Sequence, residues 1–109
     1  MTTAYLKYSN GQLELSLKGH ADRSQGETDN LCCAGISMLG QAACEWAYHM
    51  AESEHGGYFD IKNASGELHM IAIAFPEYKQ EASAVYDYLY GGLSLLMRRY
   101  PGKLTGGEI

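Results

Sequence analysis

Apolar residues stand at every second position near the start of the chain. Ala4, Leu6 and Tyr8 alternate with polar neighbours between Thr3 and Tyr8, and Leu13, Leu15 and Leu17 alternate with Glu14, Ser16 and Lys18. A period of two puts one set of side chains on each face of a strand. Ser9-Asn10-Gly11 lies between the two runs. Asn-Gly is the strongest short hairpin signal, because both residues accept the positive φ that a tight turn demands. The pattern predicts a two-stranded hairpin with one buried face, whose second strand ends at Gly19-His20.

The period then changes. Residues 21–30 are polar and predict a loop, with Asp29 or Asn30 placed to cap a following helix. From about Leu31 to about Ser53, apolar positions recur at Ile36, Leu39, Ala43, Ala47 and Met50, the spacing of three and four of one helical face. Gly35 and Gly40 fall inside this helix. Each costs roughly 1 kcal/mol against Ala there, which suggests that something packs closely against them. His55-Gly56-Gly57 ends the helix, Tyr58 to Lys62 reads as a strand, and Asn63-Ala64-Ser65-Gly66 as a turn. Glu67 to Phe75 is a further strand, and its run Ile71-Ala72-Ile73-Ala74 predicts burial on both faces. Pro76 and Glu77 suit a helix start. The helix runs to Arg99 with Ala82, Val85, Leu89, Leu93 and Leu96 on its core face, and Gly91-Gly92 is expected to interrupt or bend it. After Tyr100-Pro101-Gly102, residues 103–109 form either a short edge strand or a frayed tail. The order β-β-α-β-β-α, with a final β left open, predicts one α+β domain over residues 1–109, a mostly antiparallel sheet carrying two helices.

Composition narrows the function. Hydrophobic residues make up 46% of the chain, enough for a modest core. The net charge is -5, and the eight Lys and Arg are scattered, so no basic face for direct nucleic-acid binding is expected. The start Met-Thr-Thr-Ala-Tyr has neither the charged nor the apolar region of a signal peptide. No apolar run reaches the ~18 residues that span a bilayer. A cytoplasmic protein without membrane contact is expected. Its cysteines, Cys32, Cys33 and Cys44, are odd in number with two adjacent, which does not suit a disulfide framework. His49, His55 and His69 show no ligand spacing and no Cys-x-x-Cys occurs, so no metal or other cofactor is expected.

Chemistry concentrates between Gly19 and Ser37. Thiolate is the reactive form of cysteine, and a helix N-terminus favours it through unpaired N–H groups and the positive end of the dipole. Cys32 and Cys33 fall in the predicted first turn, and backbone N–H groups near Cys33 and Ala34 are placed to stabilise an oxyanion. A histidine can take the thiol proton and later deliver it to a leaving amine. His20, at a strand end, is joined to the same helix by one loop. On spacing alone two readings stand: a nucleophile with its base, or buried core cysteines beside an incidental histidine. Cys44 lies eleven residues after Cys33, about three turns on, and is a core candidate. Tyr86, Tyr88 and Tyr90 have period two within a helix, which spreads their rings around it.

Gly19-His20-Ala21 and Cys33-Ala34-Gly35-Ile36-Ser37, with the polar loop between them, resemble the signature of the ribosomal-processing cysteine protease family Prp. In that family a Gly-His-Ala motif precedes Asp-Ile-Val-Cys-Ala-(Ala/Gly)-Val-Ser. Length, opening hairpin, element order and the Tyr100-Pro101 end of the second helix are similar as well. The resemblance implies a cofactor-free endopeptidase whose histidine and cysteine form a dyad. It would remove an N-terminal extension from a protein of the large ribosomal subunit. The histidine maps onto His20. Anchoring on Ala34-Gly35-Ile36-Ser37 selects Cys33 as the nucleophile, whereas counting forward from His20 without an insertion selects Cys32. Cys33 is preferred, because a surface loop accepts an extra residue and a helix does not. Ser37 matches the family serine, and with Ala34 and Gly19 it makes the set of candidate substrate contacts.

Three departures stand out: Asn30 in place of the usual Asp, with Asp29 one residue earlier; the doubled cysteine; and a charged loop over residues 22–29. The loop would suit a divergent branch, such as a phage-encoded relative acting on a phage capsid or scaffold precursor. A homodimer is expected from the small residues of helix 32–51, from the many tyrosines, and from the dimeric state of related proteins. The rival reading is a non-catalytic dimeric interaction module that binds a peptide segment through the same groove.

Overall fold

The computed structural model describes residues 2–19, 27–64 and 66–107. Along the chain stand β1 (Thr2–Ser9), β2 (Gln12–Lys18), α1 (Glu27–Glu52), β3 (Gly56–Ala64), β4 (Glu67–Ala74), a 3-10 turn at Pro76–Tyr78, α2 (Lys79–Arg99) and β5 (Leu104–Gly107). The five strands form one sheet in the order β3-β4-β2-β1-β5. Three of its four pairings are antiparallel and β1 with β5 is parallel. This is the expected α+β arrangement with its final strand present, and the sheet is mixed. Asn10 and Gly11 have φ of 50° and 90°, the left-handed pair that a two-residue hairpin turn needs, and they bring Ser9 opposite Gln12.

Both helices lie on one face of the sheet, and that face is the core. Ala4 and Leu6 of β1, Leu13, Leu15 and Leu17 of β2, and Leu68, Met70, Ala72 and Ala74 of β4 are buried there. They meet Ile36, Ala43, Ala47 and Met50 of α1 and Ala82, Leu89 and Leu93 of α2. Among the described residues, no second layer covers the opposite face. The run Ile71-Ala72-Ile73-Ala74 therefore keeps its period of two: Ala72 and Ala74 point inward, while Ile71 is half-buried and Ile73 is 36% exposed. This corrects the expectation of burial on both faces. β-Branched side chains suit a pleated surface whether or not it is covered, so an apolar run does not by itself report two covering layers.

Gly35, Gly40 and Gly92 mark close approaches within the chain, while a Cβ on Gly91 would meet open space. A Cβ on Gly40 would lie 3.0 Å from Leu17 Cδ1 and 3.1 Å from Leu68 Cδ1, so α1 comes down onto β2 and β4 at that point. A Cβ on Gly92 would meet Leu39 Cδ2 at 2.8 Å, and α2 runs unbroken through Gly91-Gly92. Neither an interruption nor a partner chain is needed to account for Gly40 and Gly92. Beside the second half of α1, Glu81 ties three elements together. Its Oε1 accepts from Trp46 Nε1 at 3.0 Å, its Oε2 lies 2.9 Å from His55 Nδ1, and the His55 ring stacks on Tyr78 at 3.8 Å.

Candidate active site

Helix α1 begins at Glu27, four residues before the expected start, so Asp29 and Asn30 are helical. A polar, acidic segment reads as loop, yet negative residues suit the positive end of a helix. Cys33 is consequently the seventh residue of α1. Only the first four N–H groups of a helix lack an intrahelical acceptor, so those of Cys33 and Ala34 belong to the hydrogen-bond ladder. The expectation of an oxyanion site on these two amides is thereby corrected. The dipole also acts mainly within the first turn, and Cys33 lies beyond it.

The adjacent cysteines part company, as residues 100° apart on a helix must. Cys32 is 0% exposed and belongs to the core. Cys33 is partly exposed and lines a cleft of about 220 Å³. Cys44 is buried too, and burial together with the Glu45 charge holds its thiol above the ordinary value. All three are thiols rather than disulfides.

The cleft runs between the first half of α1, the end of β2 and the β3–β4 turn. One wall is the row Cys33, Ser37 and Gln41 on α1. Buried Leu17, Ile36 and Leu68 supply apolar surface beneath it. Asn63, Ala64, Gly66 and Glu67 form the opposite side. Across this gap Asn63 Nδ2 donates to Gln41 Oε1 at 3.2 Å. Glu67 is paired with Lys62 at 3.5 Å.

Gly19 also lines the cleft, and its backbone is specific. Its φ is 97°, which glycine adopts without penalty, and its N–H donates to the Gly66 carbonyl at 2.9 Å. The end of β2 is thus fixed to the β3–β4 turn one residue before His20. His20 and Ala21 themselves lie outside the described residues. The other three histidines are elsewhere. His49 lies beside Glu45 on an exposed face of α1, His55 packs on Tyr78 and Glu81, and His69 alternates out of the core face of β4.

Of the five residues proposed from sequence, Gly19, Cys33 and Ser37 come together in one cleft. Ala34 is exposed and does not line it. Gln41 and Asn63 were not anticipated. Gln41 carries a readable signal, eight residues after Cys33 and four after Ser37 on the same helical row. Asn63 carries none, because sheet pairing alone brings its turn beside α1.

No protein-family model matches the chain, and no curated protein matches it. Solved structures do. The ribosomal processing protease Prp from S. aureus, in complex with a covalently linked product peptide, superposes with a TM-score of 0.64 at 17% identity, over 98% of each chain. The same protease with a substrate peptide gives 0.64 at 17% identity, again over 98% of each chain. The protein SMU.848 from Streptococcus mutans gives 0.65 at 17% identity, over 97% of this chain and 91% of that one. The chain has the fold of these proteins. Among the described residues, no helix is long and apolar enough to cross a membrane.

Proposed function

We propose that the chain is a cysteine endopeptidase of the Prp kind, with Cys33 as nucleophile and His20 as general base and acid. The observation that carries this reading is the cleft. Of three cysteines, Cys33 alone opens into it, and its rim includes Gly19, the residue directly before His20. The same cleft sits on a fold shared with a protease solved with peptides bound.

The chemistry uses no cofactor. Cys33 Sγ attacks the scissile carbonyl carbon as its proton passes to His20. The C–N bond breaks and the amine leaves with that proton, giving a thioester on Cys33. Water, deprotonated by His20, then cleaves the thioester, releasing the carboxylate product and restoring the thiol. The substrate class is an N-terminal extension of a large-subunit ribosomal protein, or a phage capsid or scaffold precursor. A charge of -5 favours approach of a basic partner.

The protein acts as a cytoplasmic homodimer in this reading. The outer face of the two helices supports the pairing. Tyr88 and Leu95, 84% and 45% exposed, line a mostly apolar groove of about 470 Å³ together with Leu39, Asp87, Gly91 and Gly92, and Met38 of α1 is 70% exposed. Two-fold pairing of like patches is the commonest way to cover such a face. Light scattering at micromolar concentration should give twice the mass of 12.0 kDa.

Incubation of each precursor class with wild type, Cys33→Ala and His20→Ala tests the activity, with products mapped by mass spectrometry. One cut by wild type, lost in both variants, is expected. A cut that survives both substitutions would show that the dyad is wrong. Absence of any cut, together with tight peptide binding, would favour the non-catalytic binding module.

A further inference from the structure

The polar wall of the cleft extends well beyond the thiol. Cys33, Ser37 and Gln41 follow one another at intervals of four along α1, and all three line the cleft. From Cys33 to Gln41 the helix rises about 12 Å. An extended peptide advances about 3.3 Å per residue, so the same distance spans three to four substrate residues. At the far end stands the Gln41–Asn63 pair, which bridges α1 and β3.

We infer that the Gln41–Asn63 pair is a main-chain clasp that grips an extended peptide three to four residues from the scissile bond. This rests on the peptidase reading of the same cleft. The bond Asn63 Nδ2 to Gln41 Oε1 uses one donor and one acceptor. Gln41 keeps both amide hydrogens, and Asn63 keeps one hydrogen and its carbonyl oxygen. Those remaining groups match the C=O and N–H that a peptide backbone presents. Both side chains are exposed, so their mutual bond adds little to folding. It does hold two flexible amides in a fixed orientation before a ligand arrives, which lowers the entropy that binding must overcome. Glu67, which also lines the cleft, is paired with Lys62 at 3.5 Å, and the groups that bridge α1 and β3 are the two neutral amides. A neutral pair above apolar Leu17 and Leu68 reads peptide backbone rather than charged side chains. The substrate class is therefore a segment extended for at least four residues on one side of the cut, and shorter peptides lose the clasp.

A peptide that wild type cuts at one mapped bond, shortened residue by residue from each end, tests this. Wild type should lose kcat/KM in one step, on one side only, when the peptide no longer reaches the pair. In Gln41→Ala and Asn63→Ala that step should shrink by roughly three- to tenfold through KM, the worth of one or two hydrogen bonds. Gln41→Glu separates grip from scaffolding, because it keeps the oxygen that accepts from Asn63 and removes both donors. On a peptide without basic residues it should lose part of the step that Gln41→Ala loses. A length profile in Gln41→Glu identical to wild type would overturn the clasp while leaving the peptidase reading intact. If wild type cuts no peptide and Cys33→Ala binds none, both fall together.

Discussion

Alkylation of the adjacent cysteines separates the two candidate nucleophiles. Cys33 borders a cleft, whereas Cys32 is 0% exposed within the core. A reagent reaches Cys32 only when the start of α1 lifts from the sheet. Opening that exposes a core residue costs a sizeable part of the global stability, about 3 kcal/mol or more. Each 1.4 kcal/mol is tenfold, so Cys32 should react about 100-fold more slowly than Cys33, or slower still. The assay is a time course with limiting iodoacetamide, quenched by acid and read by peptide mapping, with fragment ions distinguishing the neighbouring sites. Cys33→Ser should abolish the fast label and Cys32→Ser should leave it. Comparable labelling of Cys32 and Cys33, within about threefold, would refute the reasoning and transfer the nucleophile assignment to an open question about the register of α1.

Three further outcomes follow from the packing. Gly40→Ala gains about 1 kcal/mol of helix propensity but drives a methyl against Leu17 and Leu68, an overpacking cost of about 1–3 kcal/mol. Urea unfolding should show a net loss of about 1 kcal/mol, and a gain would mean that α1 rides higher on the sheet than described. Glu81→Ala removes the acceptor of Trp46 and the partner of His55, and should lower stability by about 2 kcal/mol in the same measurement. Cys44 gives a pH dependence. Its folded thiol is raised by burial and then by Glu45, so its contribution is complete below the unfolded value of about 8.5. Above that pH the unfolded chain releases the proton first, and stability should fall as pH climbs towards the raised folded value. The wild-type loss between pH 8 and 10 should exceed that of Cys44→Ala, and equal losses would show that Cys44 titrates as an exposed thiol.

Local patterns made much of the fold legible. Asn10-Gly11 announces its own turn, because two successive positive φ angles suit few other pairs. The stripe from Ile36 to Met50 is the face that α1 buries. What stayed hidden depended on contacts distant in sequence. The first turn of α1 is polar, so nothing in its periodicity separates it from a loop, and the amides of Cys33 and Ala34 were read as helix-terminal when they are interior. The apolar run of β4 could not report that Ile73 on its outer face is exposed. In the cleft, Gly19, Cys33 and Ser37 were readable from spacing and motif, and Gln41 from the same row of α1. Asn63 was not, since it reaches the cleft only through the placement of β3 beside β4 and β4 beside β2.

The most direct test of the central claim locates the bond that Cys33 is proposed to form. A peptide ending at the scissile position, with its carbonyl carried as a chloromethyl ketone, is incubated with wild type, Cys33→Ala and His20→Ala, and the adducts are mapped. One peptide per chain, attached to Cys33, slowed strongly in His20→Ala and absent from Cys33→Ala, is the result predicted. Attachment to Cys32 or Cys44, or labelling of Cys33 no faster than by a plain alkylating reagent, would contradict the account.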